Sequence, residues 1–167
     1  MTFYSYILSN IYSLSPLFIT LILSIVSLLP IMPSGTEEIA PLLGVISLSF
    51  WVVNRPDIMG WLSVIIIGIF NDVLYGSLLG IACLSAIIVR LILIKILHKI
   101  DFTSIFHTLF YVGLSLIIWL FINSLANNII YSNFYNYYSV IFQFLVSLVI
   151  SPIIIFIQLL LLKKMSI

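Results

Sequence analysis

Gly68-Ile69-Phe70-Asn71-Asp72-Val73-Leu74-Tyr75-Gly76-Ser77-Leu78-Leu79-Gly80 lies between two apolar runs, and how it is read sets how often the chain reverses. Gly76-Ser77 reads as a turn, because Gly takes up backbone conformations closed to other residues and Ser competes for backbone hydrogen bonds. With that turn the chain holds six apolar segments, at roughly 11–30, 39–53, 58–75, 78–98, 105–126 and 138–162. The other breaks carry similar punctuation. Pro30, Pro33, Ser34, Gly35, Glu37 and Glu38 form the first, and Asn54-Arg55-Pro56-Asp57 the second. Lys99, Asp101, Thr103 and Ser104 form the fourth, with Asp101 or Thr103 suited to cap the helix that follows. The fifth, around Asn127 to Tyr137, is uncharged and rich in Asn and Tyr.

The segments are this apolar because the whole chain is. Of 167 residues, 63% are hydrophobic and 7% charged, whereas soluble domains are about 45–50% apolar and about 25% charged. Six basic and five acidic side chains cannot cover a water-soluble globule, so a soluble enzyme is excluded. The net charge of +1 leaves no basic footprint for nucleic acid. The composition is that of an integral membrane protein. A helix needs roughly 20 apolar residues to cross about 30 Å of hydrocarbon, so six or so crossings use up the chain as a single polytopic domain over 1–167. Transmembrane strands do not fit continuous apolar runs of this length. The expected fold is therefore all-α, since each span must satisfy its own backbone hydrogen bonds. Residues 1–10 contain no Lys or Arg and read as leading into a retained first helix, not as a signal peptide. Cys83 stands alone in an apolar run and reads as a small hydrophobe.

Six crossings put both termini on one side. Arg55, Lys95, Lys99, Lys163 and Lys164 all flank that side, which the positive-inside rule makes cytoplasmic. Glu37 and Glu38 fall on the other side. So do Tyr131, Tyr135, Tyr137 and Tyr138, as an outer aromatic belt, with Trp51 and Trp61 in the inner one.

A few polar residues need an account. A carboxylate in hydrocarbon is costly, and Asp72 sits at the negative end of its own helix. If the chain reverses at Gly76, Asp72 can reach the free N–H groups that open the fourth segment and lock the hairpin; a ligand or partner contact is the alternative. Gly76 and Gly80 match the small-xxx-small spacing that lets membrane helices approach closely. Arg90 is expected to snorkel towards the inner interface, with pairing to Asp57 or a backbone carbonyl as a second option. His98 and His107 lie near the same interface and read as solvated. Pro152 should kink the last segment and leave a carbonyl about four residues earlier without its partner, which Ser151 or a neighbouring helix could satisfy. The acids are scattered, no metal-ligand spacing occurs, and no catalytic or phosphate-binding motif is present, so neither an enzyme nor a cofactor or metal site is expected.

Between Pro41 and Leu91 the chain resembles the MreD family of bacterial rod shape-determining proteins. The resemblance rests on Pro41, on Phe50-Trp51 followed by Pro56, on Gly68, Asp72, Gly76, Ser77, Leu79 and Gly80, and on Leu84. Trp51, Pro56, Gly68, Asp72, Gly76, Leu79 and Gly80 are thereby marked as a structural or partner-interaction motif. The resemblance implies a multi-pass protein of the bacterial cytoplasmic membrane, with no catalytic residues and a place in lateral wall elongation. It also implies an MreC-like bitopic partner and, through it, MreB filaments, RodA and a penicillin-binding transpeptidase. The resemblance further implies a fold similar to the substrate-binding S-components of vitamin transporters. A small-solute binding subunit is accordingly the alternative, with Arg90, Asn123, Asn127 and Asn128 as its candidate polar groups.

Overall fold

The computed structural model describes residues 3–29, 39–97, 105–131 and 137–165. Its regular structure is helical: α1 (Phe3–Val26), α2 (Leu43–Asn54), α3 (Trp61–Tyr75), α4 (Ile81–Leu97), α5 (Ile105–Tyr131) and α6 (Tyr137–Met165). The first loop from Pro30 to Glu38, the segment from His98 to Ser104 that carries the expected cap, and Tyr135 lie outside the described residues, as do the side chains of Tyr131 and Tyr137.

Helix lengths are less uniform than six equal crossings would be. The stretches Phe106–Ile129 and Tyr138–Lys164 are long and apolar enough to cross a bilayer. By contrast, α2 has twelve residues, which at 1.5 Å each rise about 18 Å, well short of hydrocarbon thickness. Within the expected apolar segment 39–53, residues 40–42 are not helical and α2 starts at Leu43. Pro41 is the reason, since it disfavours helical geometry at Ala40 and brings no N–H of its own. Irregular backbone survives at membrane depth only where protein satisfies it. Here α6 does so: Gln143 Nε2 donates to the Ala40 carbonyl at 3.0 Å, and the Leu42 N–H donates to Ser147 Oγ at 3.0 Å.

Every residue of α2 from Leu43 to Val52 is buried. The helix runs through the middle of the bundle and packs against α1, α4, α5 and α6. An all-round apolar sequence is what such a position needs, and α2 has no polar face. Its hydroxyls find partners on the surrounding helices. Thr20 Oγ1 of α1 lies 3.0 Å from Ser47 Oγ, the Gln158 amide of α6 donates to the same Ser47, and Ser49 Oγ donates to Ser115 Oγ of α5 at 2.5 Å. Encasement by four helices also corrects the reading of Trp51. It is fully buried, edge-on to Phe50 with ring centroids 5.3 Å apart, and does not belong to an interfacial belt.

Around α2 the helices alternate in direction. Ser27 Oγ, just past the end of α1, lies 3.2 Å from the Tyr75 hydroxyl at the end of α3, so these two ends share a side, here called the Gly76 end. The start of α3 and the ends of α4 and α6 lie at the opposite, Lys164, end. Pro152 sits inside α6, and Ser151 Oγ donates to the Leu148 carbonyl that the proline leaves without an N–H, at 2.8 Å. The outward faces carry Leu62, Phe106, Ile129 and Val149, all at least two-thirds exposed. A bundle that is apolar outside as well as inside suits a lipid solvent.

Candidate functional site

The turn between α3 and α4 brings together most of the motif residues. α3 ends at Tyr75 on a glycine C-cap: Gly76 is left-handed, with φ 60° and ψ 23°, and its N–H returns to the Asp72 carbonyl. The Ser77 N–H reaches the same carbonyl at 3.1 Å. Gly80, the residue before α4, has φ 111°, where an L side chain is strained. These two glycines set the shape of the turn. They do not form a small-xxx-small packing face, because neither lies within a helix and a Cβ on either would meet nothing within 4 Å. The close approach is at Gly68, where a Cβ would come within 2.4 Å of the Cys83 Cα. α3 and α4 therefore touch backbone to backbone.

That contact carries Asp72 over the start of α4. One carboxylate oxygen accepts from Ser77 Oγ at 2.7 Å and from the Ala82 N–H at 2.8 Å. The other accepts from the Gly80 N–H at 2.8 Å and the Cys83 N–H at 3.3 Å. A helix start leaves free donors and a partial positive charge, and an N-capping side chain normally satisfies them. Gly80 has no side chain, so Asp72 caps α4 from eight residues upstream. The carboxylate is fully buried with both oxygens engaged. Leu79, in contrast, is 75% exposed on the outside of this turn.

At the Lys164 end the second motif group, Trp51 and Pro56, adjoins Arg90. Arg90 does not snorkel. It is 6% exposed, and its guanidinium donates to the Met59 carbonyl and, at 3.5 Å, to that of Pro56. Its planar group lies 4.9 Å from the Trp61 ring centroid, a cation–π distance. The link between α2 and α3 turns its carbonyls inwards because the Arg55 N–H returns to Trp51 and the Ile58 and Met59 N–H groups both return to Arg55. Those inward carbonyls draw the guanidinium under the loop, so the carbonyl option holds and Asp57 is not its partner.

The polar groups of the small-solute alternative do not meet. Asn123 Nδ2 donates to Ser85 Oγ at 3.2 Å and to the Trp119 carbonyl at 2.9 Å. Ser85 is five residues before Arg90 on α4, a rise of about 7.5 Å, and Asn127 and Asn128 follow Asn123 towards the opposite end. The residues that hold α2 (Thr20, Ser47, Ser115, Gln143, Ser147 and Gln158) were not singled out from the sequence. Their signal was there: each is a hydroxyl or amide inside an apolar helix, where it must find a partner.

A family model described as rod shape-determining protein MreD matches residues 9–164. No curated protein and no solved structure matches the chain.

Proposed function

The chain belongs to the MreD family of rod shape-determining membrane proteins, and from that premise we propose that it is a non-enzymatic scaffold of the wall-elongation machinery. In this reading it crosses the bacterial cytoplasmic membrane several times with both termini inside. It binds an MreC-like bitopic protein and, through it, MreB filaments, RodA and a penicillin-binding transpeptidase. The observation that carries the proposal is the family match over nearly the whole chain. The geometry supports it in two ways. The Asp72 carboxylate and the terminal guanidinium nitrogens of Arg90 are engaged by this chain's own turns, which suits a rigid support better than a reaction centre. The apolar outer faces then leave the bilayer as the place where partners bind, and close packing drives association there.

The test is affinity purification of the tagged protein from native membranes in mild detergent, followed by mass spectrometry and by depletion in cells. MreC, RodA or a penicillin-binding transpeptidase is expected among the recovered proteins, and depleted cells should round up. Recovery of paired ATPases with a coupling membrane subunit would overturn the scaffold and make the chain a substrate-binding subunit.

A further inference from the structure

α1 and α6 both pack on α2 and leave a gap between them. The gap is a cavity of about 190 Å³. Ile19, Ile22 and Leu23 of α1 form one wall and Ile154, Ile157 and Leu161 of α6 the other, with Gln158 at the floor. Gln158 presents no polar surface to the cavity: its Nε2 donates to Ser47 of α2, and its Oε1 is buried with no hydrogen-bond partner among the described residues. What faces the cavity is hydrocarbon, and the walls reach the outer surface, where Ile22 is 58% and Ile157 48% exposed.

Three features narrow the occupant. The walls contain no Gly, Ala, Ser or Thr, the residues that let a second membrane helix bring its backbone close. A thin, flexible chain suits Ile and Leu walls better than a helix does. The face of α6 that forms the cavity runs Ile154, Ile157, Leu161 and then Lys164, at helical spacing. From Ile154 to Lys164 is ten residues, a rise of about 15 Å, which is half of a hydrocarbon core of about 30 Å. The groove walls end at Leu161, and the exposed ammonium of Lys164 lies about one turn beyond on the same face, so that walls and ammonium together span one leaflet. We propose that the groove between α1 and α6 is a binding site for an anionic phospholipid of the leaflet at the Lys164 end, one acyl chain lying between the helices and the phosphate against Lys164. This goes beyond the scaffold reading and does not depend on it.

The test uses the full chain in nanodiscs of equal dioleoylphosphatidylglycerol and dioleoylphosphatidylcholine. It is then extracted in mild detergent, and retained lipid is counted by native mass spectrometry. One phosphatidylglycerol per chain is expected, enriched over phosphatidylcholine. Lys164→Gln should lower that enrichment about fivefold, the share of one lysine near an anionic surface. Ile157→Trp and, from the opposite wall, Ile22→Trp should each remove the retained lipid whatever its headgroup. Both positions border the lipid and tolerate a larger side chain, and an unchanged helical circular dichroism signal identifies folded variants. Equal retention of the two lipids, or full retention in both groove-filling variants, would overturn the proposal. So would cross-linking of Ile157→Cys to a co-purified protein's membrane helix in place of lipid.

Discussion

Truncating Asp72 to Ala would strand three backbone N–H groups and the Ser77 hydroxyl, the Ala82 N–H buried and the other three donors part-buried. A buried donor without a partner costs about 1–3 kcal/mol. Partial relaxation of the turn limits the sum, and Asp72→Ala is expected to destabilise the protein by about 3–5 kcal/mol. Asp72→Asn keeps one acceptor oxygen and gives up the charge, so a loss of about 1.5–3 kcal/mol is expected. Reversible unfolding in mixed micelles reads both: Asp72→Asn as stable as the parent chain would show that the charge contributes nothing, and Asp72→Ala no less stable than Asp72→Asn would show the same of the remaining oxygen. This residue was legible in the sequence, because a carboxylate next to a glycine turn has one cheap solution, the free donors of the next helix. Arg90 was not. Its long stem permits several burial depths, and what fixed the choice was the inward turn of the Pro56 and Met59 carbonyls, which no local pattern announces.

Between elements, the closest contact is the backbone approach of α3 and α4 at Gly68. A methyl group there would meet backbone, which cannot rotate aside, so Gly68→Ala must push the helices apart and loosen the Asp72 cap with them. A loss of about 2–3 kcal/mol is expected, as for other overpacked sites. Gly113 is the control: a Cβ there meets only Leu148 Cδ1 at 4.0 Å. Gly113→Ala should be neutral or stabilising by up to about 1 kcal/mol, since Ala favours a helix interior. The same unfolding measurement compares the pair, and a Gly113 variant as damaged as the Gly68 variant would refute the distinction. The existence and order of the helices could be read from apolar runs, since a bilayer permits little else. The start of α2 could not, because the Ala40 carbonyl and the Leu42 N–H find their partners in Gln143 and Ser147, more than a hundred residues away. The role of Gly76 and Gly80 was misread for a related reason. A spacing of four means a packing face only if both residues lie in one helix.

For the molecule as a whole, alternating helix directions place Asp57 and Lys164 at one end and Ser77 at the other. With Cys83 replaced by Ala, single cysteines at 57 and 164 are expected to react with an impermeant maleimide only after the inner membrane is opened. A cysteine at Leu79, which is exposed on the outside of its turn, should react in intact spheroplasts. The opposite pattern would invert the proposed topology. Composition made the membrane legible, but it could not reveal which helix would be encased: α2 and its neighbours are about equally apolar, and only tertiary contacts separate them. That encasement bears on how the protein is made. The opening of α2 depends on Ser147, 105 residues further along the chain. At synthesis rates of about 5–20 residues per second, the ribosome needs roughly 5–20 s to deliver it. Until then the nascent chain holds a twelve-residue helix, too short to be retained by the translocon's lipid gate on its own, with its leading backbone unpaired. The last helix is therefore expected to complete the fold, and a chain ending before Gln143 should be degraded faster than the full chain in a pulse-chase.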